Sequence, residues 1–343
     1  ARIAHWASQY EMDLVVVGPE LPLVYGIANI LTAYGVPTFG PTAAGAEIEG
    51  SKWFAKELME RHGIPTAPAR AFDIETEAAA YIEEHGAPVV VKADGLAAGK
   101  GVTVCRDTMS AHNAVRECLE GTFGDAGMLV VVEDCLVGQE CSLLAFTDGE
   151  TVLPMVPAQD FKRAFDDDEG PNTGGMGVYS PVPTVSAEAE AAMVDLLQRT
   201  VAALREEGVV YRGVLYGGFM LTADGPTVLE YNARFGDPET QAILPRLKSD
   251  LVDVMVATTE GRLGAVTLEW SSDAAVSVVL ASKGYPGAYD IGKPITGIDE
   301  AETVEGVTVY HAGTTISDDG ELVTNGGRVL NVTAVAPTLS EAR

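Results

Sequence analysis

Positive charge is scarce in this chain. Lysine and arginine together number 22 against 50 acidic residues, a net charge of −28, and only eight of the 22 basic residues are lysine. No Lys/Arg-rich run occurs, which excludes an electrostatic grip on nucleic acid or on an anionic membrane. A highly acidic, lysine-poor balance is halophile-like, that of a protein kept soluble in concentrated salt. The four cysteines, Cys105, Cys118, Cys135 and Cys141, form no C-x-x-C and no His-paired metal spacing, so a disulfide framework or zinc module is not expected. Free thiols in a reducing, cytoplasmic setting are. Apolar runs are short, Met128 to Val132 for example, too short to span a bilayer, and no secretory signal is visible. The chain has no initiator Met and opens within helix-like sequence, Arg2 to Ala7, which reads as a cropped N-terminus.

Glycine, in contrast, is abundant, with 37 residues, and 47% of the 343 residues are hydrophobic. That length predicts two or three domains. Short apolar runs followed by glycine-containing loops are the habit of an α/β (α+β) protein whose backbone approaches ligands closely. The chain starts as helix, strand, loop, helix, with Asp13 to Val17 a short buried strand and Val36 to Pro41 another. Ser51 caps a helix running to about His62, and Glu77 to Glu84 is a second helix. Strands follow at Pro88–Lys92, Val102–Cys105 and Met128–Glu133. Two hairpins turn through Asp148-Gly149 and Asp224-Gly225. Gln159 to Pro181 reads as a long polar loop of the kind that carries function. Ser186 to Glu207 is an amphipathic helix ended by Gly208, and beyond about Ala265 short strands and turns dominate. The expected domains are residues 1–50, a partial N-terminal α/β domain; 51–264, with a small lid at about 66–140; and 265–343, β-rich.

Three elements carry chemistry. Ala93 to Gly101 is glycine-rich but is not a G-x-x-x-x-G-K-[ST] loop. Asp94 occupies the first glycine position, Lys100 is followed by Gly101, and a strand follows instead of a helix. It reads as a loop between two strands, with Lys92, Lys100 and the free N–H groups around Gly95, Gly99 and Gly101 suited to a triphosphate. The competing reading is a tight turn with surface lysines; Lys92 on an apolar strand argues against it, because a buried cation needs a partner. The stretch from Glu133 to Glu140 offers backbone groups around Glu133 and Leu136 to an adenine edge and the Glu140 carboxylate to ribose hydroxyls. Alone this is weak, since an acid at a strand end is usually just solvated. Val228 to Arg234 is the strongest element. Residues two apart on a strand share a face, so Glu230, Asn232 and Arg234 point one way. A carboxylate and an amide oxygen are hard ligands for Mg²⁺, and Arg234 supplies a planar fork for a phosphoryl or carboxylate group. His311 reads as structural, and Asp166 to Glu169 as a solvated acidic loop.

The order Lys92, glycine-rich loop, Glu133, Glu140, then Glu-x-Asn resembles the ATP-grasp enzymes. Within them, several strings are similar to the glycinamide ribonucleotide synthetase family: Gly18-Pro19-Glu20, Glu49-Gly50-Ser51-Lys52, Lys92 to Gly101, Gly170 to Gly177, Asn232 to Thr240 and Thr324 to Val329. The resemblance spans nearly the whole chain. It implies an ATP-grasp fold and an ATP-dependent ligation of glycine to 5-phosphoribosylamine through glycyl phosphate, in purine biosynthesis. It implies Mg²⁺ or Mn²⁺ on Glu230 and Asn232, with Arg234, Lys100 and Asp237 as catalytic residues. Glu20, Asp160, Asn172, Gly174, Gly175, Met176, Arg234, Asp237 and Glu239 would line the substrate sites. The chain departs from the wider superfamily at Leu215 to Met220, which carries no acidic metal ligand. The family's opening Gly-rich βα unit and its final elements are also absent from the chain. A monomer is expected, with no nucleic-acid or membrane partner. The rival readings are another ATP-grasp carboxylate–amine ligase, a purely structural acidic protein, and an ATP-binding fragment without turnover.

Overall fold

The computed structural model describes residues 1–97 and 101–343, the side chain of Asp168 apart. Gly99 and Lys100, both named above as phosphate-binding, lie outside the described residues. The chain forms two compact units, each interleaved in sequence: residues 1–155, 185–235 and 249–268 in the first, and 156–184, 236–248 and 269–343 in the second.

The first unit opens with α1 (Arg2–Gln9), β1 (Val15–Val16), α2 (Glu20–Val24), α3 (Ile27–Ala33), β2 (Thr38–Phe39) and α4 (Ala43–Gly50). β1 and β2 pair in parallel. Next comes α5 (Lys52–Arg61), whose N-terminus is capped by the Ser51 hydroxyl accepting from the Phe54 N–H at 3.0 Å. A four-stranded sheet follows in the segment expected to form the lid, ordered β3 (Ala69–Phe72), β6 (Val130–Asp134), β4 (Val89–Ala93), β5 (Val102–Cys105) and antiparallel throughout. Helices α6 (Glu75–His85) and α7 (Thr108–Glu117) supply Ala78, Ile82, Ala111 and Val115 to its core, against Val89, Val91, Val130 and Val132. β4 is buried on both faces, which is why it reads as an unbroken apolar run with one lysine in it.

The second sheet of this unit is β7 (Gln139–Thr147), β8 (Val152–Pro154), β13 (Gly213–Thr222) and β14 (Gly225–Asn232), in the order β14-β13-β7-β8. The 20-residue α8 (Ala187–Glu206) packs on it through Met193, Leu196, Leu197, Val201 and Leu204. α10 (Leu251–Glu260) completes the unit. The β3-β6-β4-β5 sheet and this sheet are joined at Thr66, which bridges Val228 on β14.

The second unit is built on a five-stranded antiparallel sheet, β16 (Val307–His311), β19 (Arg328–Ala336), β15 (Ala274–Ala281), β12 (Gly177–Ser180), β9 (Gln159–Asp160). Two small hairpins accompany it, β10 (Arg163–Phe165) with β11 (Glu169–Asn172), and β17 (Thr314–Ile316) with β18 (Leu322–Thr324). Its helices are short: α9 (Glu239–Ile243), α11 (Ile298–Ala301) and α12 (Leu339–Ala342). This corrects the expectation of a loop at 159–181: the segment contributes β9 and β12 to the sheet and folds back on itself through β10 and β11. Strands of two to four residues carry no alternation to read, and β15, the downstream partner of β12, lies about a hundred residues away. No helix among the described residues is long and apolar enough to cross a membrane.

Candidate functional site

In the first unit the few lysines gather. Three of the eight in the chain, Lys52, Lys56 and Lys92, interact electrostatically. Lys92 on β4 is buried, pairs with the Glu133 carboxylate of β6 and donates to the Leu229 carbonyl of β14 at 3.2 Å. The partner expected for a buried cation is therefore Glu133. Glu133 is thus not the solvated strand-end acid of the competing reading: its side chain is 2% exposed and held between Lys92 and Lys56. Burial pushes the Lys56 and Lys52 amines below their ordinary values, with Glu133 and Glu230 respectively opposing that fall.

The glycine-rich loop is fixed at both described ends. Asp94 accepts from the Trp53 N–H at 2.6 Å and from the Ser51 hydroxyl at 3.1 Å, so the loop's first carboxylate sits on the N-terminus of α5, where backbone donors and the helix dipole favour an anion. Lys52 donates to the Gly95 carbonyl at 3.0 Å. At the far end the Ala93 N–H donates to Gly101 at 2.8 Å, and a Cβ on Gly101 would come within 2.6 Å of the Ala97 methyl, so only glycine fits there. Leu136 is half-buried after β6, and Glu140 is exposed on β7 opposite Met220.

The end of β14 assembles the second group. Tyr231 is buried, whereas Glu230 and Asn232 are half-exposed on the other face, as period-two alternation requires. Arg234 lies in a cage of oxygens. Its Nε donates to Glu20 at 3.0 Å, its Nη2 reaches Glu49 at 2.9 Å and Asn232 at 3.4 Å, and its Nη1 donates to the Phe235 carbonyl at 3.1 Å. Phe235 is seated by Phe39 and Phe146, with ring centroids 6.1 and 6.0 Å away. Glu49, at the end of α4, also accepts from the Ala233 N–H at 2.6 Å. Burial pushes its carboxyl up to about 7; Arg234 and the Ala233 N–H pull it down, while the nearby Glu20 and Glu230 carboxylates push it further up. Among the described residues no cluster of three or more His, Cys, Asp and Glu could hold a metal ion. Glu230 and Asn232 offer two hard oxygens, which fit Mg²⁺ or Mn²⁺ when the remaining positions are filled by phosphate oxygens and water.

In the second unit Gly174, Gly175 and Asp237 meet around Arg328. Its Nη1 donates to the carbonyls of Gly174 and Asp237 at 2.6 and 2.8 Å, and its Nη2 to the Asp237 carboxylate at 3.0 Å. The Gly174 N–H donates to the Tyr285 hydroxyl at 3.1 Å and the Gly175 N–H to the Thr173 hydroxyl at 3.0 Å. Gly175 has a φ of +106° and its α-carbon faces Pro238, so a side chain there is excluded twice. Met176 is fixed by its N–H to Phe161 and its carbonyl from Val279. Asp160 and Glu239 are buried; Asn172 is half-buried at the end of β11.

Residue-level reading missed Glu49, Lys52, Lys56 and Arg328 as participants. The strings around Glu49-Gly50-Ser51-Lys52 and Gly326-Gly327-Arg328 were visible, and Lys52 and Lys56 stand one turn apart on a capped helix. Each has a partner 40 or more residues away in sequence.

Three family models cover nearly all of the chain: the phosphoribosylglycinamide synthetase N domain over residues 1–49, its ATP-grasp (A) domain over 50–240 and its C domain over 275–343. The chain belongs to the phosphoribosylglycinamide synthetase family. It is similar to the phosphoribosylamine–glycine ligase of Rhizobium meliloti, 49% identical over 99% of this chain and 80% of that one. The trifunctional purine biosynthetic protein adenosine-3 of Gallus gallus is 52% identical over all of this chain and 34% of its own length. Among solved structures, the phosphoribosylamine–glycine ligase of Thermotoga maritima superposes with a TM-score of 0.81 at 36% identity, over 89% of this chain and 76% of that one. The biotin carboxylase domain of Hydrogenobacter thermophilus 2-oxoglutarate carboxylase, solved with MgADP, shares the fold at 19% identity, with a TM-score of 0.72 over 98% of this chain and 73% of that one. The phosphoribosylglycinamide synthetase and biotin carboxylase likenesses agree with the expected ATP-grasp fold.

Proposed function

We propose that this chain joins glycine to 5-phosphoribosylamine with ATP, giving glycinamide ribonucleotide, ADP and phosphate. The observation that carries the proposal is the β14 terminus, where Glu230, Asn232 and the caged Arg234 follow one another in a chain that matches all three domains of its family.

A carboxylate does not react with an amine unaided, because oxide is a poor leaving group. A glycine carboxylate oxygen attacks the γ-phosphorus, the bond to the ADP oxygen breaks, and glycyl phosphate forms. The amine of phosphoribosylamine then attacks the acyl carbon; the C–O bond to phosphate breaks and the amine proton is lost to solvent. The protein's task is positioning and charge neutralisation. Lys92 and Lys100 hold phosphates, with the backbone at Gly95, Gly99 and Gly101. Glu133 and Leu136 present main-chain groups to adenine, and Glu140 takes the ribose hydroxyls. Arg234 steadies the transferring phosphoryl group. Glu230 and Asn232 hold Mg²⁺ or Mn²⁺, which neutralises polyphosphate charge when bound. Glu20, Asp160, Asn172, Gly174, Gly175, Met176, Asp237 and Glu239 shape the glycine and phosphoribosylamine sites, and Asp237 helps orient the attacking amine. The enzyme works as a cytoplasmic monomer.

The test is ADP release in high KCl with Mg²⁺ and ATP, adding glycine and freshly generated phosphoribosylamine singly and together. Release that requires both supports the ligase. Release with neither, or with a different carboxylate, sinks it. Chelation should abolish release, and Mg²⁺ or Mn²⁺ should restore it.

A further inference from the structure

Lys56 belongs to no step above, yet it is among the most tightly held side chains of the first unit. It is 6% exposed, and its ammonium has three acceptors, the Thr66 hydroxyl at 2.8 Å, the Ala67 carbonyl at 3.0 Å and the Glu133 carboxylate at 2.5 Å. Two N–H donors thus meet neutral oxygens, and the charge is met by the Glu133 carboxylate as an ion pair. Those oxygens lie at a joint. Thr66 and Ala67 lead into the β3-β6-β4-β5 sheet, and the Thr66 hydroxyl passes the connection on to the Val228 carbonyl of β14 at 2.8 Å. Glu133 lies in β6 of that sheet.

Two ammonium groups share one buried carboxylate, Lys56 on Oε2 and Lys92 on Oε1. Burying ions costs more than packing apolar side chains of the same volume, so such a triad is a poor device for stability alone. Its arrangement does something else. With Oε2 occupied by Lys56, Lys92 is paired to one oxygen and to the Leu229 carbonyl, and a polyphosphate oxygen can take the place of that single contact. Without Lys56, both carboxylate oxygens would be free to hold Lys92.

We infer that Lys56 is a positioning residue for nucleotide binding, fixing Glu133 so that Lys92 remains exchangeable onto the triphosphate. This rests on the ATP-dependent reading above for the role of Lys92. It predicts an effect on ATP alone, routed through Glu133.

The experiment measures Mg-ATP affinity by calorimetry, and the KM values for ATP and glycine, in the wild type, Lys56→Met, and Lys56→Met combined with Glu133→Gln. Lys56→Met should weaken Mg-ATP binding tenfold or more and raise the ATP KM with it, while the glycine KM stays within twofold. The double variant, in which a neutral amide no longer captures Lys92, should return to within threefold of the wild-type affinity. Equal rises in both KM values, or a lowered Tm with unchanged Mg-ATP affinity, would overturn the inference. If Lys56→Met is too unstable to assay, the double variant decides: near-wild-type affinity supports the inference and a tenfold loss overturns it. A wild type that binds Mg-ATP without turning over would sink the ligase reading and leave the affinity comparison intact.

Discussion

Arg234 and Arg328 are the two most heavily bonded arginines of their respective units, and they are held in opposite ways. Arg234 faces two carboxylates, Glu20 and Glu49, and the Phe235 carbonyl. Arg328 faces three main-chain carbonyls, those of Gly174, Gly175 and Asp237, and a single carboxylate, that of Asp237. A guanidinium among carboxylates is oriented by charge, and its environment titrates. A guanidinium on carbonyls is a brace that fixes backbone, here the Gly174 and Asp237 peptides. The first arrangement suits a group that meets developing negative charge; the second suits one that holds a substrate-binding loop in shape.

That difference can be broken by mutation. The largest effect is expected for Arg234→Ala, which should lower turnover about 100-fold or more, the scale of losing one transition-state donor, with circular dichroism unchanged. Near-normal turnover would remove Arg234 from the chemistry. Next is Gly175→Ala. A side chain at φ +106° and against Pro238 should cost about 2 kcal/mol or more in urea denaturation, and a neutral result would mean the loop relaxes freely. Arg328→Lys keeps the charge but loses the fork. It should raise the KM for glycine or phosphoribosylamine about tenfold, roughly 1.4 kcal/mol, and leave the ATP KM alone; an ATP effect would erase the distinction between the two arginines.

The smallest effect sharpens the comparison through pH. Glu49 holds its proton up to about 7 in the folded protein, against 4.5 when exposed. Between those values the unfolded chain has lost this proton and the folded one keeps it, so this group makes stability fall as pH rises from about 4.5 to 7. Glu49→Gln should flatten that part of the stability–pH curve by up to about 1 kcal/mol per pH unit. An unchanged slope would show that Arg234 keeps Glu49 ionised throughout.

Much of this was legible in sequence, for physical reasons. β4 and β14 announce themselves because an apolar run interrupted by one charged residue has to bury that charge against a partner or turn it toward a ligand. α5 and α8 are marked by Ser51 and Ser186, whose hydroxyls do cap them. Glu230 and Asn232 could be placed on one face by alternation alone, whereas Arg234 lies past the end of β14. The segment around β9 to β12 could not be read, because its strands are short and its order also draws on β15 and Arg328 far downstream. Nor could the burial of Glu133, which is decided by Lys56 and Lys92 on two other elements. Cages and triads are properties of distant partners, and a single chain read locally shows only one member at a time.

The contact between Asp94 and the Trp53 N–H has an optical consequence. The chain has three tryptophans, Trp6, Trp53 and Trp270, and only Trp53 stands where the glycine-rich loop is tied to a helix. Its indole is half-buried one residue from Lys52, which holds Gly95. Adding Mg-ATP and recording the emission of this ring tests whether the tie responds to nucleotide: a shifted spectrum reports a change there and an unchanged one reports none. The molecule thus carries its own fluorophore at the joint, and the loop can be followed in real time without a label.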